Sequence, residues 1–160
     1  QTFAFIDRKQ QVNSPSQPSE RSRLQKHRRG RINQPSTSSY YPDGSVNEDG
    51  TSGFAFVAPH VTKSFRASDG CSTVQTELAA IREAVRDARS QSAGHIVIHT
   101  DSQGAIDNLR NPHRDNVALN RDIQNDIRHS NKNFVINWIP SHIGITGRSE
   151  ERRVGKECRS

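Results

Sequence analysis

Cysteine is scarce in this chain, with two among 160 residues, Cys71 and Cys158. Two thiols are too few for a disulfide framework, a cysteine-based zinc site or an iron–sulfur cluster, and no disulfide partner is expected. Hydrophobic residues are also scarce, at 30%. No run approaches the roughly 20 apolar residues that a helical membrane span requires. No apolar signal-peptide core follows Gln1, and the first residue is not Met, so the chain reads as a piece of a longer polypeptide that is not secreted. The length suits one domain, and two would be crowded.

What is present is unevenly placed. The net charge of +6 comes from the two ends. Residues 1–36 carry eight Lys/Arg against two Asp/Glu, and residues 148–160 carry five against three. Residues 37–147 carry ten against twelve and are slightly acidic. The basic run from Arg21 to Arg31 contains a single Leu and cannot bury enough surface to offset chain entropy. Residues 1–36 therefore read as a disordered basic linker, with a phosphate-binding arm as the functional alternative.

From Tyr40 the pattern changes. "SYYPDGSV" reads as a short strand ending near Asp43, and "NEDGTSG" carries an Asp-Gly turn signal. "FAFVA" and "VTKSFRA" read as two more strands, separated by Pro59-His60. Ser72 with Gln75 fits a capping box, and Val74, Leu78, Ile81, Val85 and Ala88 form an amphipathic stripe behind it. "HIVIHTD" reads as a buried strand. "SQGAIDNL" and "VALNRDIQNDIRH" read as helices, and "NFVINWI" as a fifth strand. The expected class is α/β: a three-strand antiparallel meander, then alternating helices and strands, in one mixed sheet with helices packed on it.

Three carboxylates occupy special places in that order. Asp43 lies at the end of the first strand, Asp101 at the end of the fourth, and Glu77 beside Leu78 on the first helix. A helix turns about 100° per residue, so Glu77 borders the apolar stripe and faces the sheet. If the first and fourth strands are neighbours, all three can converge. Like charges a few ångströms apart repel by about 4 kcal/mol per pair at an effective dielectric of 20. Such a cluster raises its own pKa values or collects hard cations, and oxygen-only ligands favour Mg²⁺ or Mn²⁺. Each residue also has an ordinary structural reading: Asp43 in a turn, Asp101 as a helix N-cap, Glu77 as a first-turn acid.

Four segments in order, "YYPDGSVNEDGTSGFAFV", "STVQTELAAIREAV", "IHTDSQGAI" and "WIPSHIGITG", resemble the type 1 ribonuclease H domain. They are most similar to the copies at the C-terminal end of reverse transcriptases of non-LTR retrotransposons. The resemblance runs from about Ser39 to Gly147. It implies a five-stranded mixed sheet with helices and cleavage of the RNA strand of RNA–DNA hybrids. It implies two Mg²⁺ ions, with Mn²⁺ as a substitute. Asp43 resembles the Asp that bridges both ions, and Glu77 and Asp101 resemble ligands of the second. His142, in "PSHIG", resembles the mobile histidine that assists product release. Trp138 reads as a core residue more readily than as a base-stacking one. The implied setting is a monomeric domain of a retroelement polyprotein, in the cytoplasm or nucleus. One departure is Pro42, which stands where the family has Thr and removes a backbone donor beside Asp43.

A larger departure follows Gly147. The family continues with a helix opening Asn-Glu-x-Ala-Asp, which supplies a fourth carboxylate. Here "RSEERRVGKECRS" follows and resembles the translation of a short-read sequencing adapter. The expected organisation is thus a linker over 1–36, a ribonuclease H-like domain over 37–147 lacking its last helix, and a non-native tail over 148–160. Cleavage is expected to be impaired. The rival readings are a non-catalytic module that binds hybrid or duplex nucleic acid, and another two-metal nuclease or strand-transferase on a related fold.

Overall fold

A computed structural model of the chain describes residues 4–6 and 35–140. His142, the rest of the basic linker and the tail after Gly147 lie outside the described residues. The elements are β1 (Ala4–Ile6), β2 (Thr37–Val46), β3 (Ser52–Val57), β4 (Thr62–Arg66), α1 (Thr73–Arg89), β5 (His95–Thr100), α2 (Gln103–Arg110), α3 (Val117–Arg128) and β6 (Asn133–Trp138). The five expected strands and three expected helices are all there. The sixth strand is Ala4–Ile6, inside the segment read as linker, which pairs parallel to β6. The sheet order is β1-β6-β5-β2-β3-β4.

Local chemistry explains the turns and helix starts. Gly50 takes a left-handed φ of 83°, which favours Gly. The Thr51 amide and hydroxyl both donate to the Asp49 carboxylate, at 2.9 and 2.6 Å. The capping box at α1 is complete. The Gln75 N–H donates to Ser72 Oγ at 3.2 Å, and the Ser72 N–H donates to Gln75 Oε1 at 2.8 Å. Leu78, Ile81, Val85 and Ala88 of the stripe are fully buried, and Val74 packs at its edge.

β2 has two different partners. Thr37–Tyr40 pair parallel with β5, and Tyr41–Val46 pair antiparallel with β3. The register runs through Pro42, opposite Phe56, and the pairing with β5 has already ended at Tyr40. The antiparallel register thus passes through the proline, while the parallel one stops two residues before it. β5 alternates: Ile96, Ile98 and Thr100 are buried, while His95, Val97 and His99 are half-buried on the other face. The run reads as a buried strand, and one of its faces enters the core. That core holds Tyr40, Phe56, Leu78, Ile81, Ile98, Ile123 and Ile136, each fully buried. Burying one such large apolar side chain contributes about 1.5–3 kcal/mol. α1 lies against β2 and β3, and α3 lies against α1.

At the C-terminal end of α1, Asp87 forms a closed polar hub. Its Oδ2 accepts from the Tyr40 hydroxyl and from His60 Nε2, both at 2.7 Å, and Lys63 Nζ donates to Oδ1 at 3.2 Å. Burial pushes the Asp87 carboxyl up. The hydrogen bonds from Tyr40, His60 and Lys63 outweigh that and hold it below its ordinary value. Burial, and then the bond to Asp87, push the Tyr40 phenol up.

Candidate metal centre

β2 and β5 are neighbours and parallel, so their chains run the same way toward one edge of the core. Asp43 lies on β2 opposite Ala55, three residues past the last pairing with β5. Asp101 directly follows the last residue of β5. Glu77 reaches the same point from α1. One carboxylate oxygen of each, Asp43, Glu77 and Asp101, lies within 4.8 Å of the others.

None of the ordinary readings describes these residues. β2 continues to Val46, so Asp43 is a strand residue and not a turn residue. The N-cap of α2 is Ser102, whose Oγ accepts from the Ala105 N–H at 3.1 Å, and not Asp101. The first turn of α1 holds no acid, and Glu77 is 4% exposed. Burial is what gives Glu77 its unusual chemistry.

Gly44 brings the helix this close. A Cβ built there would lie 2.5 Å from Thr76 Oγ1 and 2.7 Å from both the Glu77 nitrogen and the Thr76 carbonyl carbon. Two of those atoms are backbone and cannot swing away, so only glycine lets β2 touch α1 here. The Gly44 N–H also donates to the Glu77 carboxylate. Sequence reading took Asp43-Gly44 as strand end and missed this role. The available signal was a glycine inside a strand pattern, which marks close backbone approach.

Burial raises the Glu77 pKa most, followed by repulsion from Asp43 and then Asp101. Together they push it to about 9 against the single lowering bond from Gly44. Glu77 Oε2 is buried and has no hydrogen-bond partner. A buried oxygen without a partner, beside two more carboxylates, is a place where a shared proton or a cation offsets the like charges. A hard divalent cation fits it. The donors are all oxygen, which suits a hard divalent cation and not a soft metal.

The structure thus brings Asp43, Glu77 and Asp101 together, while His142 lies outside the described residues. Trp138 is partly buried against the core, with its Nε1 buried and unpaired, which agrees with a packing role. No helix among the described residues is long and apolar enough to cross a membrane. Against known proteins, a family model described as RNase H matches residues 35–154. No curated protein matches the chain.

Proposed function

Because the chain belongs to the RNase H family, we propose that it hydrolyses the RNA strand of RNA–DNA hybrids at the centre formed by Asp43, Glu77 and Asp101. The observation that carries this reading is the convergence of three carboxylate oxygens within 4.8 Å around the unpartnered Glu77 Oε2. Asp43 would bridge two Mg²⁺ ions, and Glu77 and Asp101 would hold the second, with Mn²⁺ as a substitute. Such ions supply charge stabilisation for the attacking and leaving oxygens of a phosphodiester.

The chain's own contribution is placement and proton control. Gly44 sets the Asp43–Glu77 separation, and β2–β5 pairing sets that of Asp43 and Asp101. With its pKa near 9, Glu77 holds a proton at neutral pH and must release it when a cation arrives. Metal affinity should therefore rise with pH up to about 9. In the hydrolysis itself, a water oxygen bonds to phosphorus as one P–O ester bond breaks. His142 is assigned to product release on its "PSHIG" setting. The described residues offer three carboxylates, and the residues after Gly147 lack the Asn-Glu-x-Ala-Asp pattern, so turnover should be slow. We place the domain in a retroelement polyprotein, preceded by a basic linker over residues 1–36, with a phosphate-binding arm as the alternative reading of that segment.

The test uses the full chain and a labelled hybrid with Mg²⁺ or Mn²⁺. Cleavage should exceed that of a DNA duplex, whose strands lack the 2′-hydroxyls the site would read. Asp43→Asn should lower it by about a hundredfold or more, since misplacement of the reacting groups alone has an effect of that size. Binding of hybrid without metal-dependent cleavage by the unaltered chain would favour the non-catalytic module instead.

A further inference from the structure

Three amide side chains join the start of α1 to α2 in one directional chain of hydrogen bonds. Gln75, which already closes the capping box, donates from Nε2 to Asn116 Oδ1 at 3.2 Å. Asn116 donates from Nδ2 to Asn108 Oδ1 at 3.0 Å. Asn108 donates from Nδ2 to the Gly104 carbonyl at 3.0 Å. Each amide accepts with its oxygen and donates with its nitrogen, so every member fixes the orientation of the next.

Asn116 forgoes its local role to take part. It is the N-cap of α3, yet its side chain makes no capping bond, and its backbone is left-handed at φ 51° and ψ 40°. An asparagine that caps its own helix stabilises it by satisfying one of the free N–H groups of the first turn. Here that contribution is given up for a bridge between two other helices. The helix starts it joins also touch directly: a Cβ on Gly104 would lie 2.8 Å from Val74 Cγ2. Glu77 stands two residues after Gln75, and Asp101 stands three before Gly104.

We infer that the Gln75–Asn116–Asn108 relay positions Glu77 relative to Asp101, and that these asparagines, which touch no ion themselves, set how tightly the centre holds a divalent cation. The relay rests on the reading of the three carboxylates as metal ligands. Gly44 fixes Glu77 against Asp43, and the relay fixes it against Asp101.

The probe is Mn²⁺ alone, titrated into the full chain and followed by electron paramagnetic resonance, beside metal-free melts. Asn116→Gly keeps the left-handed backbone accessible and removes both bonds. Asn108→Ala places a strong helix former inside α2. Both variants should fold, with metal-free melts close to the parent. Each should weaken Mn²⁺ binding on the order of tenfold, the range seen when groups behind the ligands are removed. The double variant should lose no more than the worse single one, because a chain broken once is already broken. Unchanged Mn²⁺ affinity in both single variants, or losses that simply add, would overturn the relay. Asp43→Asn separates the two ideas. If it leaves Mn²⁺ binding intact, the metal reading fails and the relay fails with it. If it removes binding while the asparagine variants bind like the parent, the relay alone is wrong.

Discussion

Helix α1 carries two inward-facing acids with opposite surroundings. Asp87, near its C-terminal end, accepts from a tyrosine, a histidine and a lysine, and its carboxyl is held below its ordinary value. Glu77, near its start, faces Asp43 and Asp101 and is pushed to about 9, with Oε2 unpartnered. Both carboxylates are largely shut off from solvent, Asp87 with 8% of its side chain exposed and Glu77 with 4% of the residue exposed. The difference lies in the neighbours. Where the fold needs a buried acid for its own integrity, it supplies the donors. Where it sets the acid among other acids, it raises the acid's pKa instead, and a proton or a cation can offset the like charges.

That contrast can be broken most severely at Gly44. Gly44→Ala forces a methyl group into the backbone of Thr76 and Glu77, and should destabilise the protein by about 3 kcal/mol, the upper range for overpacking. It should also weaken Mn²⁺ binding, because α1 moves away from Asp43. A urea melt and a Mn²⁺ titration that both match the parent would refute the close approach. Asp87→Ala should destabilise by about 2 kcal/mol, chiefly by stranding the buried Tyr40 hydroxyl, since Lys63 and His60 are partly solvated. Adding Tyr40→Phe should recover part of the loss, and Mn²⁺ affinity should not change in either protein. A change in affinity there would dissolve the distinction between the two acids.

Glu77 gives an effect of the opposite sign. The Glu77 pKa is raised from 4.5 to about 9, so between those values the folded state holds a proton that the unfolded state has released. Metal-free stability from this group is fully present below pH 4.5 and is lost as pH rises toward 9. Glu77→Gln should therefore raise the metal-free melting temperature near pH 8, where the parent bears the cost of keeping that proton. It should also abolish the rise that Mn²⁺ gives the parent. Asp87 runs the other way. Its contribution is present above pH 3.8 and fades only as pH falls below that value. A metal-free melt that is flat between pH 5 and 9 in both proteins would show that Glu77 is not held protonated.

The sequence made much of this legible where the signal is local. The stripe from Val74 to Ala88 and the Ser72–Gln75 box define α1 almost to the residue, because a helix is written in steps of three and four. Glu77's inward direction follows from its place beside Leu78. What stayed hidden depends on residues far apart in the chain. Nothing near Ala4 announces that it will lie beside Val135. Nothing near Asn116 announces that its amide will serve Gln75 and Asn108. Asp43-Gly44 misled for a related reason. Asp-Gly is a turn signal by composition, yet here the glycine answers a helix that arrives thirty residues later, a constraint no local window contains.

The divided pairing of β2 also has a kinetic meaning. Its second half joins β3 through a short turn, a closure that is cheap in entropy and fast. Its first half joins β5 only after the whole of α1 has been laid between them, a distant contact of the kind that slows folding. Asp43 sits in the early half, and Asp101 follows the strand that docks late. The cluster of like charges thus depends on one local pairing and one distant pairing of the same strand.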